Sequence, residues 1–377
     1  MLEKRTIEKK NLIIIKSVPQ IFIAIAIRLA NCSDEYFDAI LCGSNKTLRC
    51  FFERKVLDNI FDNIYIVDDD VINYGKETIL SVIFTQRYTK NIVTSNGNKL
   101  GDDYTDIFFW NANKTAYIIM AYCKLTRGSI HVICDAFGGY LAEGPDDDRP
   151  DSYQVFYKTW CNYIFKKVHS LKELKHMDYD YYMFKPILSY PRRVHNVKEV
   201  PVNILKKDSY LNCINDIFEV QKQKEISQKF IFMGNVPGEF TDENIVMDVV
   251  QRTQKQLGYD KFGVKAHPRT PADYYKKLGI NEVSWSAPWD VYCMNYDISN
   301  KIIISGESSS VFLPTFLYEK KCTFVLIRGL LQSRNKEYND EIWKWYVDKL
   351  KEYGCIVFEA DSIDDYLNLL EQLDSVT

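Results

Sequence analysis

The sequence of 377 residues lacks the patterns typical of a metal site or a disulfide framework. Its ten cysteines are scattered without a CxxC pair, and its five histidines show neither HxxxH nor HExxH spacing. Structural zinc sites use such closely spaced ligands, and disulfide-rich domains place their cysteines in dense arrays. We therefore predict no bound metal, no cofactor and a reducing, cytoplasmic location.

An excess of charge of one sign is also missing. The chain carries 48 Lys and Arg against 51 Asp and Glu, a net charge of −3. A general nucleic-acid binder needs a basic surface to neutralise phosphates, so the composition argues against nucleic acid as a partner. The hydrophobic fraction of 46% and the charged fraction of 26% are typical of a globular protein.

No apolar run is long and clean enough to cross a membrane. The best candidate, residues 11–30, follows a basic start but contains Lys16, Pro19 and Arg28. These residues interrupt both a signal-peptide core and a membrane span. We predict a strand, a tight turn and a helix here, and the sequence leaves open a peripheral association with the inner face of a membrane.

Apolar runs instead alternate with helical patterns. The strand-like runs are too apolar to have a solvent-exposed face, which predicts parallel sheets covered by helices on both sides. The predicted strands are 11–16, 37–42, 63–67, 105–109, 130–134, 229–233, 261–265, 301–305, 322–327 and 354–358. The predicted helices are 19–31, 46–56, 71–84, 113–124, 209–222, 241–256, 309–318, 339–351 and 362–373.

The alternation pauses once, and this pause predicts two domains. Glu143–Asp151 is a polar loop dense in Asp and Pro, and residues 152–205 mix a helix with irregular segments. The length of the chain also favours two cores over one. We predict an α/β protein with two doubly wound, Rossmann-like domains, residues 1–200 and 201–377, facing each other across a cleft.

One predicted strand end carries a basic, proline-fixed corner. Lys265-Ala266-His267-Pro268-Arg269 follows the strand at 261–265, and ligands of α/β sheets bind at the carboxyl ends of strands. Lys265 and His267 fall on the same side of an extended segment. We predict that His267 donates an N–H to a departing phosphate oxygen. The alternative is a buried histidine satisfied by a backbone carbonyl.

A second strand end carries small residues. Gly234-Asn235-Val236-Pro237 follows the strand at 229–233, and such residues let backbone amides approach an anionic ligand. The alternative is an ordinary turn in which Glu239 or Thr241 caps the next helix.

A third strand end carries a serine cluster. Ser308, Ser309 and Ser310 precede the helix predicted at 309–318, where hydroxyls and free helix amides would point toward the same anion. One serine is expected to act only as the helix cap.

An acidic residue ends a strand of the first domain. Asp135 follows the apolar run at 130–134 and precedes a glycine pair. It is either a general base facing the cleft or a loop residue that caps the following turn. The acidic runs Asp68-Asp69-Asp70 and Asp146-Asp147-Asp148 lie in polar connecting segments, and we interpret them as solvated loops rather than metal sites.

In this order along the chain, the motifs resemble those of the bacterial GT-B sialyltransferases, most closely glycosyltransferase family 52, the lipooligosaccharide and capsule sialyltransferases. His267-Pro268 matches the HP motif of that family, and Ser308-Ser309-Ser310 matches its serine motif. Gly234-Asn235-Val236-Pro237 is similar to its Gly-Gln-Pro loop, and Ser17-Val18-Pro19-Gln20 to its N-terminal Pro-x-Gln turn. Pro288-Trp289-Asp290 loosely resembles the proline and ribose-binding acid of the family.

One departure from the family bears on activity. The acidic motif of the family, two acids and a glycine, stands here as Cys134-Asp135-Ala136. If the first acid is the base, Cys134 cannot replace it; if the second is, Asp135 is intact. We predict Asp135 as the base, because the Phe137-Gly138-Gly139-Tyr140 tail keeps the register plausible.

The resemblance implies an inverting, metal-independent transfer of sialic acid from CMP-sialic acid to a glycan hydroxyl of a surface polysaccharide or lipooligosaccharide. It assigns catalysis to Asp135 and His267. It assigns binding of the CMP-sugar donor to Gly234, Asn235, Pro237, Lys265, Pro268, Arg269, Asp290, Ser308, Ser309 and Ser310. The alternatives are a CMP-Kdo or CDP-glycerol-type transferase and a catalytically degenerate binder of glycan or nucleotide. A homodimer stays open.

Overall fold

A computed structural model of the chain describes residues 9–30, 35–67, 92–94, 97–110, 119, 130–134, 180–186, 196–238, 242–306, 308, 311–331 and 340–375. The chain forms two compact units, Met1–Ile217 and Phe218–Thr377. The predicted domain boundary at residue 200 precedes a helix that belongs to the first unit, because its Tyr210 hydroxyl donates a hydrogen bond to the Phe22 carbonyl at 3.2 Å.

The first unit is built on one sheet with the order β4-β3-β2-β1-β5-β6-β7-β8. Its strands are β1 (Lys10–Ile15), β2 (Tyr36–Cys42), β3 (Asn63–Val67), β4 (Val93–Thr94), β5 (Asp106–Phe109), β6 (Ile130–Ile133), β7 (Asp180–Met183) and β8 (Val197–Glu199). Among the described strands, only β4 pairs antiparallel, with β3. The described helices are α1 (Val18–Ala30), α2 (Lys46–Glu53) and α3 (Asp208–Ile217).

The apolar run near the N-terminus becomes β1 and α1. Residues 12–15 of β1 and residues 20–27 of α1 are buried, so the hydrophobicity of this segment serves the core of the unit. The turn between them is held by Gln20, whose side-chain oxygen accepts hydrogen bonds from the amides of Lys16 and Ser17 at 2.6 and 3.3 Å. Within the described part of the chain, no helix combines the length and apolarity needed to cross a membrane.

The strands β7 and β8 extend the sheet beyond what the sequence predicts. Both pair parallel to their neighbours, so the region predicted to interrupt the strands, residues 152–205, contributes two strands to the sheet. They were missed because β7 reads DYYM and β8 reads VKE, which lack the continuous apolar signature of a strand buried on both faces. The helices predicted at 71–84 and 113–124 lie almost wholly outside the described residues.

A buried, hydrogen-bonded His–Asp pair lies at the amino-terminal edge of this sheet. His131 Nε2 is 2.7 Å from Asp106 Oδ1, and the ammonium of Lys9 is 3.2 Å from Asp106 Oδ2. Burial raises the pKa of the Asp106 carboxyl, but the hydrogen bond from His131 and the charge of Lys9 outweigh it and hold that pKa below its usual value. The pair lies at the edge opposite to the strand ends where ligands bind, so we assign it to stability.

Replacing Asp106 with alanine is expected to lower the free energy of unfolding by about 2–3 kcal/mol, because His131 stays buried without its partner. Replacing Asp103 with alanine serves as the matched control. Its carboxylate contacts Lys10 but is 69% exposed, so its loss should cost less than about 1 kcal/mol. Urea unfolding of both variants checks the difference, and equal losses would contradict the assignment.

The second unit has a sheet of five parallel strands in the order β10-β9-β11-β12-β13. The strands are β9 (Phe230–Met233), β10 (Phe262–Lys265), β11 (Ile302–Ser305), β12 (Thr323–Leu326) and β13 (Ile356–Glu359). The described helices are α4 (Glu243–Leu257), α5 (Tyr274–Lys277), α6 (Trp289–Asn295), α7 (Phe312–Tyr318), α8 (Arg328–Leu331), α9 (Asp340–Glu352) and α10 (Ile363–Ser375). Two doubly wound α/β units were predicted, and the two sheets confirm them.

Both faces of this second sheet are covered. One face packs on α4 and α10 in a core that includes Phe230, Phe232, Val264, Val250 and Leu370. The strands β9, β10 and β11 are buried at every residue, and their mainly apolar runs made them visible in the sequence. The short helix α6 was not predicted. Its Trp289 and Tyr292 rings stack with centroids 5.0 Å apart, and seven residues are too few to show a helical period.

Candidate functional site

Three motif-bearing loops follow neighbouring strands of the second sheet. The His-Pro corner (Lys265-Ala266-His267-Pro268-Arg269) begins at the last residue of β10, and the glycine loop (Gly234-Asn235-Val236-Pro237) follows β9. The serine loop, described at Gly306 and Ser308, follows β11. Because β10, β9 and β11 are adjacent and parallel, all three loops leave the same edge of the sheet. The structure thus brings together motifs that are about 70 residues apart in sequence.

The glycine loop and the serine loop flank the topological switch point of this sheet. The chain leaves β9 toward β10 on one side, whereas it leaves β11 toward β12 on the other. Connections that diverge in this way open a crevice at the carboxyl ends of the strands, where open α/β sheets bind ligands. The loops are close, since a Cβ atom placed on Gly306 would lie 3.9 Å from Asn235 Nδ2.

Gly234 joins the glycine loop to the His-Pro corner. Its amide donates a hydrogen bond to the Lys265 carbonyl at 3.0 Å, which continues the pairing of β9 and β10. A Cβ atom at this position would lie 2.8 Å from the hydroxyl oxygen of Tyr275 and 3.3 Å from the Lys265 carbonyl oxygen. Glycine is required here because two neighbours, one of them backbone, occupy the space of a side chain.

Replacing Gly234 with alanine is expected to cost about 1–3 kcal/mol in unfolding free energy and to weaken nucleotide binding, because the loop must shift. Adding Tyr275→Phe removes the nearer of the two obstructing atoms. The double variant should therefore recover part of the lost stability relative to Gly234→Ala alone. Thermal unfolding and nucleotide titration of both variants measure this, and no recovery would place the strain elsewhere.

His267 is held in one turn and one tautomer. Its Nδ1 accepts a hydrogen bond from the Arg269 amide at 3.1 Å, and its carbonyl accepts one from the Thr270 amide at 2.8 Å. An Nδ1 that accepts carries no proton, so the neutral ring has its hydrogen on Nε2. The residue is partly exposed, and Nε2–H is the proton donor of the neutral ring.

Lys265 is a buried cation at the same corner. The residue is only 7% exposed. Among the described residues, its ammonium donates one hydrogen bond, a long one of 3.4 Å to the Ala266 carbonyl. Burial lowers the pKa of Lys265 to about 8, although the charge of Glu282 acts in the opposite direction. Among the described residues no carboxylate lies within ion-pair distance of this ammonium, so an anionic ligand would relieve the burial of its charge.

The serine loop is only partly described. Ser305 is fully buried, and its hydroxyl accepts a hydrogen bond from the Ser308 amide at 3.2 Å. The helix α7 begins at Phe312, later than the predicted residue 309, and Val311 occupies its cap position without a side-chain hydrogen bond. The expectation that a serine caps this helix stays a prediction. Ser309 and Ser310 lie outside the described residues.

Asp290 lies on α6 and not on any of the three loops. It occupies the first turn of α6, and burial raises the pKa of its carboxyl to about 6. No hydrogen bond or ion pair among the described residues joins it to the loops. Pro268 and Arg269 are exposed on the His-Pro corner, and Pro237 is partly exposed on the glycine loop. The role of Asp290 in ribose binding stays a prediction.

The predicted base, Asp135, lies outside the described residues. The residue before it is described: Cys134 is buried and its amide donates to the Tyr182 carbonyl at 2.9 Å, next to the end of β6. The Cys134 thiol is therefore packed into the first unit and is a poor substitute for the missing acid of the motif. The acidic runs at 68–70 and 146–148 also lie outside the described residues.

The structure adds residues that the sequence did not single out. A shallow cavity adjoins the glycine loop on the side of α4 and α5. Its lining residues are Asn235, Val236, Pro237, Gly238, Glu243, Val246, Met247, Tyr274 and Tyr275. Tyr274 and Tyr275 are detectable in the sequence as an aromatic pair shortly after His267-Pro268. Glu243 has no such signal, since it resembles any acid in the first turn of a helix.

Comparisons with known proteins give only distant likenesses. No protein-family model matches the chain, and no curated protein matches it. Among solved structures, MurG of Acinetobacter baumannii aligns over 97% of this chain and 90% of its own, with 10% identity and a TM-score of 0.42. MnaA of S. aureus in complex with UDP aligns over 84% and 78%, with 12% identity and a TM-score of 0.43.

A third structure is a UDP-glucosyltransferase from Polygonum tinctorium, capable of glucosylating indoxyl, in complex with 3,4-dichloroaniline. It aligns over 85% of this chain and 80% of its own, with 12% identity and a TM-score of 0.38. The overlap spans both units in length, yet similarity at this level assigns no function to the chain. The three loops at the switch point therefore carry the functional argument.

Proposed function

We propose that this protein is a two-domain glycosyltransferase of the GT-B type that moves a sugar from a nucleotide-activated donor to a hydroxyl of a glycan. The observation that supports this most is the buried ammonium of Lys265, which has no carboxylate within ion-pair distance among the described residues and lies at a strand end beside the switch point of the second sheet. Such a group favours a ligand with a phosphate, and nucleotide sugars bind with their phosphates at strand ends of this kind.

Each loop has a distinct part in holding the donor. Gly234 and its neighbours bring backbone close to the ligand because no side chain intervenes. Ser305 fixes the serine loop by accepting a hydrogen bond from the Ser308 amide, and we propose that the Ser308 hydroxyl binds the phosphate at the end of β11. Lys265 supplies positive charge, and His267 supplies an N–H donor from Nε2.

The bond cleaved is the one between the anomeric carbon of the sugar and the phosphate oxygen. His267 Nε2–H donates to that oxygen as negative charge develops on it, which stabilises the transition state electrostatically. Asp135 deprotonates the acceptor hydroxyl, whose oxygen attacks the opposite face of the anomeric carbon and inverts it. With Lys265 and His267 on the phosphate, we propose that no divalent metal is needed.

The donor that fits the motifs best is CMP-sialic acid. The proposal rests on the ordered set of the glycine loop, His267-Pro268 and the serines, which matches the sialyltransferases of family 52. A CMP-Kdo or CDP-glycerol-type transferase would use the same phosphate-binding loops. The change of one motif acid to Cys134 favours a further candidate, a family member that binds nucleotide or glycan without turnover.

The decisive experiment measures CMP release from CMP-sialic acid by the full chain, with and without a galactose-terminated acceptor. CMP-Kdo, CDP-glycerol and a UDP-sugar serve as parallel donors, and an arm with EDTA tests metal independence. We expect acceptor-stimulated release from CMP-sialic acid that persists in EDTA and is abolished by Asp135→Asn. Turnover of another donor alone would replace the substrate and keep the site.

If a sample shown to be folded by circular dichroism released nucleotide from none of the donors, the enzymatic proposal would be overturned. In that case Cys134→Asp separates a degenerate binder from an unrelated protein, because restoring the motif acid should create activity only in the former. Binding of CMP by calorimetry supports the same distinction, since a degenerate binder retains affinity for the nucleotide.

A further inference from the structure

Two cysteines of the second unit face each other across neighbouring strands. The pairing of β12 with β13 begins at Thr323 opposite Ile356, so the residues immediately before them, Cys322 and Cys355, are opposite one another at the entrance to the ladder. Adjacent strands lie about 4.8 Å apart. This spacing falls within the Cα–Cα range of about 4.4–6.8 Å found in disulfides.

Both side chains lie on the same face of the sheet. Residues opposite each other in a parallel ladder project to the same side, and here that side is covered by α7, where the Cys355 thiol lies 3.7 Å from the hydroxyl of Thr315. Burial raises the pKa of the Cys322 thiol well above its usual value, and Cys355 adds to the shift through its proximity. The two sulfur atoms therefore share one buried environment.

The location of Cys355 beside the edge strand β13 makes the pair accessible to an oxidant in solution. In the order of the sheet β13 is the last described strand, and its first residue, Ile356, is 59% exposed. An edge strand held by one ladder opens more readily than a central strand. Cys355 is therefore the thiol that reaches solvent first, while Cys322 stays with β12 in the interior of the sheet.

We propose that Cys322 and Cys355 form a reversible disulfide by exchange with a small disulfide oxidant such as glutathione disulfide. The Cys355 thiolate attacks one sulfur of the oxidant and displaces the first glutathione thiolate, giving a mixed disulfide. The Cys322 thiolate then attacks the Cys355 sulfur of the mixed disulfide and displaces the second glutathione thiolate. The two protein protons end on the two glutathione thiolates, so two thiols are oxidised and one disulfide is reduced.

The neighbouring Cys293 is the alternative partner and provides the control. It is fully buried in α6, where burial raises the pKa of its thiol and the proximity of Cys322 adds to the shift. It lies on a helix, however, and no strand register places it opposite Cys322. A bond between Cys293 and Cys322 would need the helix to move relative to the sheet.

The test uses the native full chain in buffers with increasing ratios of oxidised to reduced glutathione, followed by acid quenching, blocking of free thiols and tryptic mass spectrometry. Trypsin separates the two cysteines into peptides 322–328 and 352–377, and each peptide contains one cysteine only. We expect these peptides to appear joined, two hydrogens lighter than their sum, and to separate again in excess reduced glutathione. Oxidation should raise Tm by about 5 °C, because the bond closes a long loop.

The controls decide between this pair and other bonds. Cys355→Ser and Cys322→Ser should each abolish the joined peptide, whereas Cys293→Ser should leave it unchanged. A joined peptide that contains Cys293 would overturn the proposal. So would two separately blocked thiols after prolonged oxidation of protein that circular dichroism shows to be folded.

Discussion

Replacing Lys265 with methionine is expected to stabilise the protein and, at the same time, to weaken nucleotide binding at least about tenfold. The ammonium is buried, and its one hydrogen bond is long, so the folded protein carries the cost of desolvating a charge. Methionine keeps the volume of the side chain without that charge. A gain of about 1–3 kcal/mol in unfolding free energy at pH 7 follows from the lowered pKa.

The loss of affinity has the same physical origin. A bound phosphate would place negative charge beside the ammonium, in surroundings of low dielectric constant where such a contact is strong. Isothermal titration with CMP and urea unfolding measure the two effects on the same preparations. Lys276→Met is the matched control, because that lysine is exposed on α5 and pairs with Asp273, so neither quantity should change much.

Replacing a ligand-binding lysine should raise the free energy of unfolding and lower the affinity for CMP. Replacing a structural lysine should not combine these two effects. If Lys265→Met destabilised the protein, the ammonium would be satisfied in the native state and the binding role would fail. If it stabilised the protein with unchanged affinity for CMP, the buried charge would serve no ligand at this edge of the sheet.

The same group gives the binding reaction a defined dependence on pH. In the free protein the pKa of Lys265 is lowered to about 8, and a bound phosphate should raise it again. Binding therefore takes up a proton above pH 8, so affinity should be nearly constant just below pH 8 and fall by up to about tenfold per pH unit above it. The Lys265→Met variant should lose this dependence.

Replacing His267 with alanine is expected to lower turnover by about 100-fold while CMP affinity changes by less than about threefold. The hydrogen bond from the Arg269 amide fixes the proton on Nε2, where it can donate to the leaving oxygen. This donation becomes valuable only as charge develops in the transition state, so it affects kcat more than binding of the product.

The control for this prediction is His267→Gln, whose amide places an N–H donor near the position of Nε2. It should recover part of the activity lost in His267→Ala. Single-turnover kinetics and CMP titration separate the two quantities. Comparable losses in turnover and in CMP affinity would show that His267 contributes to binding alone.

Most strands of both sheets were predictable because they are buried on both faces. A continuous apolar run such as Ile302–Ser305 has few alternatives to a parallel strand, and the structure places it within about one residue of the prediction. The helices α4, α9 and α10 were equally visible, because each combines a helical period with a long enough stretch.

The remaining elements were missed for identifiable reasons. β7 and β8 are short and polar, so neither shows the signature of a strand. α7 begins at Phe312 rather than at the serines, because a serine-rich stretch predicts a helix start only within a few residues. The contribution of Tyr275 to the site depends on its contact with Gly234, which is distant in sequence.

The sequence by itself determined the chemistry available to this protein: a histidine fixed by proline, a lysine two residues before it, a glycine loop and a serine cluster, each after an apolar strand. These features are local, so a pattern of residue types is enough to reveal them. Only the tertiary structure decided that their three strands are neighbours at a switch point, that Lys265 is buried with no described carboxylate within ion-pair distance, and that Cys322 faces Cys355. Strand order, burial and register arise from contacts between distant segments, and a single sequence does not display them.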